Sequence, residues 1–233
     1  MRAILDADSI IYASCFNVET FEEVKEKFTA YLDSILSDLS DFCDVDDIWI
    51  CNGSRNNFRV ALNSSYKANR TQDKPNFLPE LHHWVKKEYK SYFADGYETD
   101  DVVATLWMQS VDELGEGNVV IVANDKDYKQ FPCWYFDLYY KRRELSKISE
   151  KDAIKNFYTQ MIVGDTADNV NYCKGFGLKY AKNLFKDSET EFSHIRRTYT
   201  VFKIIYGDEA KEKFMECYNL LKLRTDVKQI ESV

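Results

Sequence analysis

Three short apolar runs, each closed by a carboxylate or an amide, constrain this chain more than any other feature. They are Arg2–Asp6 (Arg-Ala-Ile-Leu-Asp), Asp47–Cys51 with Asn52 behind it, and residues 118–123 with Asp125 just beyond. Each has the length of a strand. Between them lie stretches of helical period: residues 21–39, with Phe21, Val24, Phe28, Leu32, Ile35, Leu36 and Leu39 on one face, then residues 79–93 and 99–114. Strands alternating with helices predict an α/β fold with a central, mainly parallel sheet flanked by helices. Ligand sites in such sheets lie at the carboxyl ends of the strands, so Asp6, Asn52 and Asp125 are expected to converge. From residue 141 onward the pattern is helical, over 150–163, 179–185, 192–206 and 210–223. With no repeat and no flexible linker, the expected division is an α/β part, residues 1–140, with a helical part, residues 141–233, packed on it.

Charge separates the same two parts. The net charge of −8 argues against a nucleic-acid partner. Residues 1–140 hold 13 basic and 25 acidic residues, whereas residues 141–233 hold 18 basic and 14 acidic. An acidic part followed by a basic one assigns the second the task of holding an anion. No apolar run reaches the roughly 20 residues of a membrane helix, so no membrane partner is expected. The N-terminus lacks the basic start, apolar stretch and cleavage site of a signal peptide. Six Cys without a Cys-x-x-Cys pair, and three His, argue against a zinc or disulfide framework and predict a reducing, cytoplasmic setting.

The acids come in groups. Glu98, Asp100 and Asp101 open a helix, Asp125 and Asp127 follow a strand, and Asp165 and Asp168 begin a helical turn. Residues three apart on a helix share a face, and Asp125 and Asp127 project to one side if the chain there is extended. Taken singly, each group reads as helix capping. Together with Asp6 on one sheet edge they would repel one another unless cations neutralise them. All-oxygen ligands select hard divalent ions such as Mg²⁺ or Mn²⁺, and two ions about 4 Å apart cleave phosphodiesters by in-line attack of water.

Basic residues interrupt the acidity of the first part: Arg55, Arg59, Lys67, Arg70 and Lys74, with Tyr66 beside Lys67. An aromatic next to a cation suits base stacking with phosphate contact, and equally suits a solvated helix face. Further on, Gly175 and Gly177, between Lys174 and Lys179, allow close approach of a phosphate at a helix entry. The spacing is neither that of a P-loop nor that of a dinucleotide fingerprint.

In order, the motifs Ile4-Leu-Asp6-Ala-Asp8-Ser, Phe58-Arg59, Tyr66-Lys-Ala-Asn-Arg70, Gly96-Tyr-Glu98-Thr-Asp-Asp101-Val, Val122-Ala-Asn-Asp125-Lys-Asp127-Tyr-Lys-Gln130, Gly164-Asp165-Thr-Ala-Asp168-Asn169 and Lys174-Gly-Phe-Gly177 resemble the 5′ nuclease (flap endonuclease) family. That family includes the 5′ nuclease domain of bacterial DNA polymerase I and standalone bacteriophage enzymes. The resemblance covers residues 2–190. It implies a PIN-like nuclease core, a helical arch over residues 56–80 and a C-terminal helix–three-turn–helix region. It further implies that Asp6, Glu98, Asp100, Asp101, Asp125, Asp127, Asp165 and Asp168 bind two Mg²⁺ ions, for which Mn²⁺ substitutes. Tyr66, Lys67 and Arg70 correspond to arch residues that steer and activate the scissile phosphate. Arg59, Lys174, Gly175, Gly177 and Lys179 are implied to contact DNA, with a K⁺ ion at the helix–three-turn–helix motif.

Two departures stand out. Asn52 stands where the family usually has Asp; its amide can still coordinate an ion or hold a metal-bound water, so weaker binding of one ion is expected, and Asn169-Val-Asn171-Tyr172 replaces the family's Asn-x-Pro-Gly. Asp8 has no family counterpart and reads as a surface residue or a partial substitute for the missing charge. The implied function is structure-selective 5′-3′ exonuclease and flap endonuclease activity on DNA with a 5′ flap or a 5′ end at a duplex junction, by a monomer in the cytoplasm of a bacterial or phage-infected cell. A non-catalytic junction binder and a nuclease removing RNA primers from RNA–DNA hybrids are the alternatives.

Overall fold

The computed structural model describes residues 1–53, 57–139 and 143–232. Arg55 and the boundary expected at 140/141 lie outside them. The sheet is built from β1 (Arg2–Asp6), β2 (Asp47–Cys51), β3 (Ser91–Phe93), β4 (Val119–Ala123), β5 (Trp134–Asp137), β6 (Leu145–Lys147) and β7 (Glu231–Ser232), in the order β6-β5-β4-β1-β2-β3-β7. The inner pairings are parallel; β6 and β7 join the two edges antiparallel. The register sets Asp6 opposite Cys51 and Leu5 opposite Val122, so β1, β2 and β4 end side by side.

Alternation along the strands sorts side chains between two cores. Ala3, Leu5, Val120 and Val122 face one layer, shared with α1 (Asp8–Ser14), α2 (Phe21–Ser40) and α4 (Leu78–Glu88). Ile4, Val119, Ile121 and Ala123 face the other, under α5 (Thr99–Leu114). Covered on both faces, β4 is buried at all five positions, and for that reason its sequence is a continuous apolar run.

The helices α6 (Glu150–Val163), α7 (Leu178–Leu184), α8 (Glu191–Tyr206) and α9 (Ala210–Leu221) enclose a third core around Phe157, Met161, Phe185, Phe202 and Cys217. The two parts are not segregated along the chain. β6 extends the sheet to Lys147, Leu223 and Val227 enter the core under α5, and β7 returns to pair with β3.

Two expectations change. Residues 79–93 do not form one helix: Tyr89 is extended (φ −122°, ψ 153°) and Ser91–Phe93 pairs with β2. Its mixed polar and aromatic residues fit either period, and the free edge of β2 decides. Residues 58–77 do not stand away as a helical arch. They form α3 (Phe58–Leu62), only five residues, then turns that lie against the segment after α6. Lys67 N–H donates to Asp168 O (2.9 Å), Asn69 Nδ2 to Thr166 O (2.8 Å) and Asn169 Nδ2 to Ser65 O (2.8 Å). Those bonds, with Tyr66 in the third core, fold the segment down.

Candidate active site

The carboxyl edge of the sheet carries the acids. Asp6, at the tip of β1, accepts from Tyr128 Oη (2.7 Å) and from Asp8 N–H (3.1 Å). Burial, then repulsion from Asp8, raises its pKa to about 7. Asp100 sits in the first turn of α5, and burial with the charges of Asp101 and Glu98 raises it well above the carboxylate range. Asp125 follows β4. The chain does not continue extended: residues Lys126–Gln130 form a 3₁₀ turn capped by Asp125, whose Oδ1 accepts from Asp127 N–H (2.8 Å). Asp125 is raised chiefly by burial, and Asp127 to about 7 by burial and then by Asp125 and Asp165.

Asp165 and Asp168 occupy a tight turn, not a helix, closed by a bridge between Asp165 and Val170. Asp165 Oδ1 accepts from Ala167 N–H (2.9 Å) and Asp168 N–H (3.3 Å). The preceding Gly164 has φ +80°, and a Cβ there would meet Val170 O at 2.3 Å. This turn therefore requires glycine.

Cations of the protein already stand among several of these acids. Lys67, in a left-handed backbone conformation (φ +56°), pairs with Glu98 and lies 3.7 Å from Asp168. Arg70 pairs with Asp168 (2.7 Å) and Lys126 with Asp165 (2.9 Å). Tyr66 Oη is within 2.8 Å of both Glu98 and Asp168 and ties the two together. Burial alone would push Glu98 up, but the charges of Lys67 and Arg59 hold it below the usual range; Lys126 does the same for Asp165. Among the described residues no three acidic, His or Cys side chains are already closed around a metal-sized space.

Four sequence-derived assignments are corrected by these contacts. Arg59 is 1% exposed, so it is not a DNA contact. Its guanidinium clasps Asp101 through two bonds (2.6 and 2.8 Å) and also donates to Glu98, Leu220 O and Lys222 O. Asp101 is fully buried, with both oxygens on Arg59 and a further bond from Arg224 N–H, so it is a structural anchor and not a metal ligand. Asn52, 1% exposed, is no ligand either: its amide donates to His82 O (3.1 Å) and its oxygen meets His82 Nδ1. Tyr66 is buried and offers no face for base stacking.

The structure adds groups that the sequence reading did not contain. Gln160 of α6 bridges Asp127 (2.7 Å) and Asp165 (3.2 Å), and Tyr128 holds Asp6. Asp8 is not a surface residue: it accepts from Gly53 N–H (3.0 Å) and Thr99 Oγ1 (2.6 Å), tying β2 to α5. Tyr128 directly follows Asp127 and belongs to the same sequence motif, whereas Gln160 reaches the acids only because α6 packs on the 3₁₀ turn. Lys174, Gly175, Gly177 and Lys179 are exposed beside one another at the entry to α7, whose N-cap Gly177 has no side-chain cap.

Sheet, acidic strand ends and appended helices define an α/β domain with its chemistry at the carboxyl edge of the sheet. The chain belongs to the 5′-3′ exonuclease family: residues 2–159 match the family's N-terminal, resolvase-like domain. It is 27% identical over 195 residues to DNA polymerase I of Rhizobium leguminosarum, covering 75% of this chain and 18% of that protein. It is also 27% identical over 213 residues to a 5′-3′ exonuclease of Buchnera aphidicola, covering 84% of this chain and 72% of the relative. The chain spans only about a fifth of the DNA polymerase I relatives it matches. In fold it is similar to the bacteriophage T5 D15 flap endonuclease, solved with DNA and metal ions, at a TM-score of 0.62 and 14% identity over 94% of this chain and 98% of that one.

Proposed function

We propose that the chain is a divalent-metal-dependent 5′ nuclease that hydrolyses DNA at a 5′ flap or at a 5′ end beside a duplex. The observation that carries this reading is the set Asp6, Asp100, Asp125 and Asp127, gathered on one edge and raised toward protonation by burial and mutual repulsion. An all-oxygen set short of countercharge fits Mg²⁺ or Mn²⁺. These four residues, with Asp165, Asp168 and Glu98 once released from their cations, would hold two ions. When bound, the ions supply an activated water and stabilisation of the departing 3′ oxygen.

The chain's own groups do the rest. Tyr128 fixes Asp6, Gln160 spaces Asp127 from Asp165, and Tyr66 aligns Glu98 with Asp168. Lys67 and Arg70 stand at the rim of this cluster. Transferred from carboxylate to substrate, they offset charge that builds on the scissile phosphate. The exposed Lys174–Lys179 turn takes the duplex backbone, and a K⁺ ion among its carbonyls belongs to the same proposal; the open space around Gly175 and Gly177 leaves room for both.

The test is a labelled 5′-flap duplex incubated with Mg²⁺ or with EDTA. Cleavage is expected only with Mg²⁺ and is lost in Asp125→Ala, while flap-DNA affinity measured in Ca²⁺ persists. Binding without cleavage by the unaltered chain would instead identify a junction binder, and a parallel substrate with an RNA 5′ segment distinguishes primer removal.

A further inference from the structure

The carboxylates of the sheet edge fall into two classes by the groups that hold them. Asp6, Asp100, Asp125 and Asp127 accept, among the described residues, only from neutral donors: a tyrosine hydroxyl, backbone N–H groups and the Gln160 amide. Glu98 and Asp168 are held by charge. Lys67 Nζ donates to Glu98 Oε1 and Arg70 Nη2 to Asp168 Oδ1 (2.7 Å), while Tyr66 Oη lies 2.8 Å from both Glu98 Oε2 and Asp168 Oδ2. Each of the four oxygens of this pair therefore meets a donor group from residues 66–70.

Those residues are fastened to the turn that bears Asp168. Lys67 N–H donates to Asp168 O, Asn69 Nδ2 to Thr166 O and Arg70 Nε to Ala167 O (3.3 Å), and Asn169 Nδ2 reaches back to Ser65 O. Before them, Asn63 Nδ2 donates to Glu216 of α9 (2.8 Å). The positive φ of Lys67 (+56°) is uncommon for a residue with a side chain, so docking contacts and not local preference hold the turn. One end is anchored and the other is loose. Tyr66 is buried in the third core, whereas every residue from 68 to 74 is exposed. The chain beyond Tyr66 can leave the acids without unpacking that core.

A divalent ion and this segment compete for the same oxygens. An ion among Asp6, Asp100, Asp125 and Asp127 displaces only neutral donors. An ion ligated by Glu98 and Asp168 must displace Lys67 and Arg70, because cations at ligand distance from a shared oxygen repel one another. The two positive charges that leave equal the charge that arrives. Lys126, paired with Asp165, belongs to another element, and its side chain is 64% exposed, so it swings aside independently.

We propose that residues 63–70 form a strap that latches the Glu98–Asp168 half of the acidic edge, and that strap closure and a second divalent ion exclude one another. This rests on the metal-dependent reading above and adds an order to it. The first ion enters an open set of acids; the second binds only as the strap lets go. A backbone phosphate that takes Lys67 and Arg70 removes the competitor, so phosphate and second ion raise each other's affinity by the same factor.

The test is Mn²⁺ binding by the full-length chain, read from the EPR signal of the free ion, beside hydrogen exchange of residues 63–70. The unaltered chain is expected to bind one Mn²⁺ at least tenfold more tightly than a second. Lys67→Met combined with Arg70→Met raises affinity for the second ion at least tenfold and leaves the first within twofold. Exchange of the Lys67 amide rises at least tenfold as the second ion binds. Two ions bound equally by the unaltered chain, a second ion indifferent to the double variant, or unchanged exchange overturns the strap. Lys174→Met with Lys179→Met removes the same charge elsewhere; an equal gain there reduces the effect to general electrostatics and overturns it too. Arg70→Met alone, at a side chain 57% exposed, serves if the double variant does not fold. It is expected to give at least a threefold gain, and none would sink the proposal. Flap cleavage separates the two readings. The expected ion pattern in a chain that cuts no flap sinks the nuclease and leaves the strap, whereas cutting with a second ion indifferent to the strap leaves the nuclease alone. A chain that binds no Mn²⁺ loses both.

Discussion

Arg59 shows how far one side chain's role depends on its surroundings. Beside Phe58 in a basic stretch it reads as a phosphate contact, yet it is buried against Asp101 and closes the C-terminal segment onto α5 through Leu220 O and Lys222 O. Truncating one member of a buried pair strands the other charge. Arg59→Ala is therefore expected to destabilise the fold by about 3–5 kcal/mol, measured by urea unfolding. Arg59→Lys should rescue little, because an ammonium cannot reproduce the two-point clasp on Asp101. A loss below about 1 kcal/mol would return Arg59 to the surface role. Asn52 carries the same lesson: the amide that replaces a carboxylate is spent on His82, and this holds α4 against the end of β2.

At the scale of elements, the turns that aim the acids matter more than the helices that flank them. The helix α6 ends at Gly164, whose positive φ and contact with Val170 O let the chain reverse so that Asp165 and Asp168 face the sheet edge. Gly175 also has positive φ (+92°), but nothing lies near where its Cβ would be. Gly164→Ala is expected to cost clearly more than Gly175→Ala, which should lose only about 1 kcal/mol of backbone preference. Equal losses on chemical denaturation would show that the Val170 contact is easily relieved. Periodicity located β1, β2, β4, α2, α5, α6 and α8 to within a residue or two, since each has a long or fully apolar signature. The short strands β3, β5, β6 and β7 escaped it. They are two to four residues long and owe their conformation to the neighbour they pair with. The segment 58–77 escaped for a related reason: its own hydrogen bonds close only short turns, and bonds to the turn around Asp168 hold those turns in place.

For the whole molecule, the acidic edge leaves a signature in stability against pH. Asp6 and Asp127 have folded pKa values near 7, above the value of about 3.9 in an unfolded chain. The folded state then holds more protons than the unfolded one between those limits, so this stabilisation is present at low pH and lost as pH rises through 7. Glu98 and Asp165 are shifted the other way, and their contribution falls away only in acid below about pH 4. His82 and His194, lowered mainly by burial, oppose the trend once pH drops below about 6.5. Metal-free protein should therefore melt at a higher temperature at pH 6.5 than at pH 8 in EDTA, with Asp6→Asn reducing the difference. A midpoint that rises with pH over that window would contradict the raised carboxylates. The net charge of −8 is read differently at this scale: the uncompensated carboxylates of the sheet edge are part of it, and it does not by itself mean repulsion of nucleic acid. By itself the sequence determined the longer strands and helices, the acids at the strand ends and the family, because side-chain period and motif spacing are local properties. Only the tertiary structure decided which of those acids are already neutralised. Asp101 meets Arg59 across 42 residues and Asn52 meets His82 across 30. Such pairings depend on distance and burial, which packing sets and local pattern does not encode.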